Sequence, residues 1–226
     1  MKKLSFLAIF LLLSVWAFSQ KTDKQNKNPD KECLVLIETP YGNMTAKLYN
    51  ETPQHRDNFL KLVKDGFYDG LLFHRVINHF MIQGGDPNSK NAEPGQMLGD
   101  GNLGYMVPAE FVEGLYHKKG ALAAARTNNP QKASSSCQFY IVQGNVWDDQ
   151  GLNMIRQRFG KELSPQQVET YKTIGGTPHL DNDYTVFGEI IDGLEVIDKI
   201  AAVPCGPNDR PVEDVKMKIS IVTSGK

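Results

Sequence analysis

Three short apolar segments of the chain, which are typical of β-strands, each carry a polar side chain that could do chemistry: Arg75, Gln83 and Gln138. Arginine stays charged, and its planar guanidinium offers several hydrogen-bond donors. Met81 and Tyr140 alternate onto the same strand faces as the two glutamines. The alternative is an ordinary solvent-exposed face in which Arg75 forms a surface ion pair. Such a face would favour Lys, Glu and Thr, so the observed side chains favour a binding surface.

Other motifs in the sequence lack the context that their chemistry needs. Residues 99–104 spell G-x-G-x-x-G, but an irregular loop precedes them and no helix follows, so a dinucleotide site is not expected. The five His residues show no paired spacing typical of metal ligands. No G-x-S-x-G turn of a serine hydrolase is present. We therefore expect neither a cofactor nor a metal.

The apolar runs predict a mainly β fold with few helices. Thr52 as N-cap and Pro53 at the first helical position predict a helix that ends near Lys64, and 194–203 predicts another. Many short antiparallel strands with few helices favour a closed barrel with capping helices. The predicted strands are 33–38, 43–49, 71–77, 80–83, 121–125, 138–142, 184–191 and 215–222.

A helical segment interrupts the strand pattern at about 144–178. Ser164 and Gln167 match a capping box with Pro165 between them, which is a specific signal for a helix start. A second short helix is predicted over 153–159. We interpret 144–178 as a helical insertion between two strands, either for substrate recognition or as an added surface element.

The first residues of the chain are typical of a secretory signal. Lys2 and Lys3 precede an apolar run over 4–18, which is shorter than the roughly 20 residues of a membrane-spanning helix. We therefore expect a cleaved signal peptide at 1–19 rather than a membrane anchor, and an exported, periplasmic location. A lipid anchor would need a Cys directly after the run, and the nearest is Cys33.

Charge and cysteine content narrow the possible partners of the remaining chain. The full chain has 25 Lys and Arg and 26 Asp and Glu. Removal of residues 1–19 removes two lysines and no acidic residue, which leaves 23 basic and 26 acidic residues and a net charge of −3. This balance favours neither nucleic acid nor an anionic membrane as a partner. The polar residues 20–32 predict a flexible segment before a domain at 33–226. Export permits one disulfide, but free thiols are favoured at Cys33, Cys137 and Cys205.

The strand segments resemble the hallmark sequences of the cyclophilin family of peptidyl-prolyl cis/trans isomerases. The resemblance extends from about Cys33 to Val222, interrupted by the helical insertion. It implies an eight-stranded antiparallel barrel with a helix over each end, no cofactor, and proline-containing unfolded or nascent polypeptides as partners of a monomeric enzyme. The matching segments are FHRVI at 73–77, FMIQGGD at 80–86, CQFYI at 137–141 and TVFG at 185–188.

The same resemblance implies roles for individual residues. Arg75 would be the catalytic residue, and Gln83 would orient it and bind substrate backbone. Ala125, Arg126 and Gln138 would bind the peptide on the side before proline. The other residues implied in substrate binding are Phe80, Met81, Tyr140, His179, Leu180 and Tyr184. The alternative function is a non-catalytic, chaperone-like or peptide-binding barrel, which could lose Arg75 without penalty.

Four of these positions differ from the best-known members of the family. Tyr140 stands where a Phe is common, and its hydroxyl needs a partner or water. His179 and Tyr184 stand where eukaryotic members usually carry Trp and His. Since that Trp contacts cyclosporin in the family, we expect weak inhibition by the drug. Arg126 replaces a common Asn, and its charge favours acidic residues near the substrate proline.

Overall fold

The computed structural model describes residues 33–222, so the predicted signal peptide and flexible segment lie outside the described residues. The strands are β1 (Cys33–Thr39), β2 (Gly42–Leu48), β3 (Phe73–Ile77), β4 (Met81–Gly84), β5 (Met106–Val107), β6 (Ala121–Ala124), β7 (Ser134–Ser135), β8 (Phe139–Val142), β9 (Val186–Asp192) and β10 (Lys218–Ile221). The α-helices are α1 (Pro53–Lys64), α2 (Asp149–Phe159), α3 (Pro165–Thr173) and α4 (Leu194–Ala201). None of these helices is long and apolar enough to cross a bilayer.

Eight of the strands form one strongly curled antiparallel sheet in the order β10-β1-β2-β9-β6-β8-β4-β3. The predicted closed barrel is corrected, because the sheet is an open half-barrel whose edge strands β3 and β10 do not form a ladder. Contact between the edges comes instead from residues at or just before the start of each strand. Leu72 and Lys216 form an isolated bridge, and the N–H of Phe73 donates to the carbonyl of Val215 at 2.9 Å.

Strand alternation divides the buried apolar residues into two clusters, as the sequence predicted. Ile82, Phe139 and Ile141 belong to the larger cluster, whereas Met81 and Tyr140 belong to the smaller one on the other face. The helices α1 and α4 pack on the larger cluster through apolar residues that recur at helical spacing. These residues are Phe59, Leu62, Val63, Val196, Ile197 and Ile200.

The two predicted N-terminal helix caps have different outcomes. At α3 the capping box is confirmed, since the Ser164 hydroxyl accepts from the Gln167 N–H and the Gln167 side chain accepts from the Ser164 N–H. At α1 the helix begins as predicted, but the Thr52 side chain forms no cap bond. The carboxylate of Glu110 instead accepts from the backbone N–H of Gln54 at 3.1 Å. A distant acidic side chain therefore caps this helix, where the helix dipole favours negative charge.

Helices α2 and α3 lie between β8 and β9, which confirms two helices in the segment 144–178. Helix α2 begins earlier than the predicted residue 153, because the Asp148 side chain accepts from the Gly151 N–H at 2.7 Å and caps it. Cys137 is a buried free thiol and Cys205 an exposed one.

Candidate active site

A cavity of about 130 Å³ lies where strands of the half-barrel meet the 3-10 helix Pro178–Leu180. All nine of its lining residues were predicted from the sequence as site residues. They are Arg75, Phe80, Met81, Gln83, Ala125, Arg126, Tyr140, Leu180 and Tyr184. The structure thus brings together side chains that are up to 109 residues apart in the chain.

Arg75 reaches this cavity from β3, the edge strand of the half-barrel. It pairs with Gln83 across the β3–β4 ladder, and side chains of such opposed residues lie on the same face. The Arg75 Nη1 lies 3.5 Å from Gln83 Oε1, and its Nε lies 3.4 Å from Asp209 Oδ2. The side chains of Arg75 and Asp209 are 40% and 47% exposed, so the charged end of Arg75 remains accessible to a peptide.

A chain of amide groups holds Gln83 in one orientation. Gln138 Nε2 donates to the carbonyl oxygens of Gly99 and Gly101, both at 2.8 Å. Because those carbonyls can only accept, the amide of Gln138 must point its oxygen the other way, where it accepts from Gln83 Nε2 at 3.0 Å. The oxygen of Gln83 then faces Arg75. Two backbone carbonyls thereby orient the acceptor that contacts the guanidinium.

The glycine-rich loop at 99–104 supplies these two carbonyls. Gly101 packs so closely on Asp86 that an added Cβ would lie 2.0 Å from the Asp86 carboxylate. Asp86 is fully buried and accepts from the N–H of Asn88 at 2.7 Å and from the N–H of Gly99. Close packing therefore explains Gly101, whereas Gly99 and Gly104 adopt positive φ with open space around them. The loop that they form presents two carbonyl groups to Gln138.

Aromatic and cationic side chains form the wall of the cavity at Tyr184. The Tyr184 ring meets Tyr140 edge to face, with 5.9 Å between centroids, and the Arg126 guanidinium lies 4.7 Å from the Tyr184 centroid. Arg126 Nε also donates to the carbonyl of Asp183 at 2.7 Å. Burial alone would raise the pKa of Asp183, but hydrogen bonds from two lysines outweigh it, so this pKa is lowered. The Tyr184 ring and the Asp183 carbonyl together hold the Arg126 guanidinium against the cavity.

The two remaining predicted residues lie beside the cavity rather than in its lining. Gln138 lines an adjoining groove of about 420 Å³, which shares Gln83, Ala125 and Arg126 with the cavity. His179 stacks on Phe80, with ring centroids 5.6 Å apart. Burial lowers the pKa of His179, which keeps the ring neutral near pH 7.

Three residues at this site were not found by sequence reasoning: Asp209, His117 and Asp181. The Tyr140 hydroxyl lies 2.9 Å from His117 Nε2, and His117 Nδ1 lies 2.9 Å from Asp181 Oδ1. The side chains of Tyr140, His117 and Asp181 are buried, whereas that of Asp209 is exposed. The one signal for His117 was that a buried Tyr hydroxyl needs a partner. Neither Asp209 nor Asp181 belongs to a spacing pattern that could have revealed it.

Comparisons with known proteins point to one family. The family described as cyclophilin type peptidyl-prolyl cis-trans isomerase/CLD matches residues 34–221. A relative from Staphylococcus aureus, named as a peptidyl-prolyl cis-trans isomerase, is 40% identical over 185 residues, which are 81% of this chain and 88% of that protein. The crystal structure of a cyclophilin type peptidyl-prolyl cis-trans isomerase from Cryptosporidium parvum matches with a TM-score of 0.64 and 25% identity, over 86% of this chain and all of that one. A second structure of it, obtained in the presence of the dipeptide Ala-Pro, has a TM-score of 0.60 and 25% identity over 84% of this chain and 99% of that one.

Proposed function

Because this chain belongs to the family of cyclophilin-type peptidyl-prolyl cis-trans isomerases and is an enzyme of that kind, we propose that Arg75 stabilises the twisted prolyl amide in the cavity that it borders. The observation that carries the proposal is the convergence of an oriented guanidinium and a small apolar cavity. Arg75 and Gln83, paired on neighbouring strands, both line the cavity, and Phe80, Met81 and Leu180 contribute apolar surface to it.

The chemistry needs no nucleophile and no proton transfer. An X–Pro bond isomerises slowly because twisting removes the amide resonance, with a barrier of about 20 kcal/mol. In the twisted state the prolyl nitrogen becomes pyramidal and accepts a hydrogen bond, which it cannot do while planar. A fixed donor aimed at that nitrogen therefore stabilises the transition state more than either ground state.

The substrate fits the two adjoining spaces in a defined way. The prolyl ring would occupy the small cavity over Tyr140, and the residues before proline would follow the groove lined by Gln138. A cyclophilin from C. parvum has been solved in the presence of Ala-Pro, which supports proline-containing peptides as substrates here. Arg126 lines both spaces, so an acidic residue close to the proline would be favoured.

The cellular setting is part of the same proposal. Residues 1–19 would direct export and be removed, so the enzyme would act, as a monomer, on exported proteins that fold in the periplasm. The segment 144–178 would be an insertion relative to the family. Mass spectrometry of the protein isolated from the organism that produces it tests the removal of residues 1–19. A mature chain that still contains Lys2 and Lys3 would contradict this cleavage.

A proline-isomerisation assay on the mature chain tests the mechanism. We expect Arg75→Ala to lower kcat/KM by about 100-fold, the typical effect of removing one positioned donor to the transition state. Arg75→Lys keeps the charge without the planar fork and should restore only part of the rate. Arg56→Ala is the matched control, because Arg56 lies on α1 and contacts Asp57 and Asn50 at the surface.

The outcome also decides between enzyme and binding module. If wild type accelerates exchange and folded Arg75→Ala loses most of that rate, the proposed mechanism is supported. If the wild-type protein does not raise the isomerisation rate of several proline peptides above the rate in buffer, yet binds unfolded protein, the half-barrel is a binding module. Equal rates for wild type and Arg75→Ala would leave an isomerase that does not use Arg75.

A further inference from the structure

Four donors converge on the buried carboxylate of Asp181, which is 3% exposed and directly follows Leu180 of the cavity. One oxygen, Oδ1, accepts from the backbone N–H and from Nδ1 of His117, both at 2.9 Å. The other, Oδ2, accepts from the Tyr171 hydroxyl at 2.7 Å and from Gln167 Nε2 at 3.2 Å. Hydrogen bonds of this kind compensate the cost of burying a polar group. Two of them come from helix α3.

The hydrogen bonds continue from His117 to the cavity. A carboxylate can only accept, so the Nδ1–H of His117 donates to Asp181. The other ring nitrogen, Nε2, lies 2.9 Å from the Tyr140 hydroxyl and shares a hydrogen bond with it. Burial raises the pKa of Tyr140 well above its usual value, so the phenol keeps its proton. An unbroken series of hydrogen bonds therefore runs from Tyr171 to the Tyr140 ring in the cavity.

The helical segment touches the cavity wall at a further point. Lys161, between α2 and α3, donates to the backbone carbonyl of Asp181 and to the carboxylate of Asp183. The carbonyl of Asp183 in turn accepts from Arg126. Each of these contacts involves the stretch of chain that carries Leu180 and Tyr184.

We propose that helix α3 positions the floor of the proline cavity, with Tyr171, Asp181 and His117 acting on the ring of Tyr140 as positioning residues. This inference rests on the isomerase function and adds a role for the helical segment within it. The floor contacts the prolyl ring in the planar and the twisted states alike. Loss of its position therefore weakens ground-state and transition-state binding together, which raises KM and leaves kcat nearly unchanged.

The first test compares two tyrosines whose rings pack against each other. Tyr171→Phe removes only the hydroxyl that donates to Asp181, and we expect KM for a proline peptide to rise about three- to tenfold with kcat within twofold of wild type. Tyr116→Phe is the matched control, because the Tyr116 hydroxyl bonds to Thr170 on the same helix and its ring lies 5.6 Å from that of Tyr171. Tyr116→Phe should keep the wild-type KM.

The second test asks whether the effect passes through the Tyr140 hydroxyl. Tyr140→Phe removes that hydroxyl, so adding Tyr171→Phe in its background should change KM by less than about 1.5-fold if the contacts act in series. Nuclear magnetic resonance of carbon-13-labelled tyrosines gives a readout without activity. The ring signals of Tyr140 should shift in Tyr171→Phe and stay in place in Tyr116→Phe.

The results separate this inference from the isomerase function itself. An active wild type with unchanged KM and unchanged Tyr140 signals in Tyr171→Phe would overturn the positioning role and leave the isomerase function standing. Equal rises in KM for Tyr171→Phe and Tyr116→Phe would also overturn it, since the effect would then not depend on the hydrogen bonds through Asp181 and His117. A wild type that accelerates no proline peptide would instead overturn the function on which the inference rests.

Discussion

Replacing Gln138 with Leu tests the amide chain that ends at Arg75. Gln138 is 6% exposed and its side chain makes three hydrogen bonds, two to the carbonyls of Gly99 and Gly101 and one from Gln83. Each neutral hydrogen bond contributes about 0.5–1.5 kcal/mol net, so their loss should lower the free energy of unfolding by about 2–4 kcal/mol. Urea denaturation followed by fluorescence measures this change.

The same substitution should slow catalysis in the molecules that remain folded. Without its acceptor on Gln138, the amide of Gln83 is free to rotate and present its nitrogen to Arg75. Equal occupancy of the two orientations alone would lower kcat by about twofold. If the hydrogen bonding that holds the guanidinium in place also weakens by about 1.4 kcal/mol, kcat would fall about tenfold. We therefore expect kcat between about one half and one tenth of the wild-type value.

Gln143→Leu is the control for this prediction. Gln143 is also a buried amide, 8% exposed; it directly follows β8, as Gln138 directly precedes it, and it bonds to Asp198 and to the N–H of His79. Its loss should destabilise the fold while kcat stays near wild type. A Gln138→Leu variant that is destabilised but retains full kcat would show that the amide chain does not hold Arg75.

Three further results are expected. Burial lowers the pKa of three histidines, so the unfolded state binds their protons more tightly than the folded state does. These histidines are His55, His74 and His179. The free energy of unfolding, measured by urea denaturation, should be constant above about pH 6.5 and fall below it by up to about 1.4 kcal/mol per pH unit for each proton. A rise in this free energy between about pH 6.5 and 5.5 would contradict the prediction. Asp209→Asn should lower kcat/KM by less than about fivefold, because the exposed pair with Arg75 is worth at most about 1 kcal/mol, and the effect should vanish in roughly 1 M salt. Cyclosporin should inhibit weakly, because His179 offers an imidazole in place of the indole that the drug contacts in the family; a sub-micromolar inhibition constant for wild type would refute this.

Local periodic signals made much of this molecule predictable. The period of two in 80–83 and 138–142 placed Met81 and Tyr140 on one face and Ile82 on the other, as the two apolar clusters confirm. The capping box at Ser164 marked the start of α3 because both of its bonds lie within four residues. Such contacts depend only on neighbours in the chain, so the sequence contains the whole signal.

Contacts between distant segments were not predictable in the same way. Asp209 meets Arg75 across 134 residues, and Glu110 caps α1 from 55 residues away, with no periodic pattern at either acidic residue. The barrel was expected to be closed because the strand count and the resemblance implied it. Closure depends instead on how the edges β3 and β10 meet, and no local motif reports that geometry.

The hydrogen bond between Tyr140 and His117 constrains how this enzyme can change over generations. A substitution that removes the hydroxyl first leaves a buried imidazole nitrogen without its partner, and one that removes the imidazole first leaves the hydroxyl without its partner. Either change lowers the free energy of unfolding by about 1–3 kcal/mol. Replacing both with apolar groups together can be nearly neutral. A lineage can therefore exchange this cavity floor for an apolar one only through an intermediate less stable than either end, and only while the fold has stability to spare.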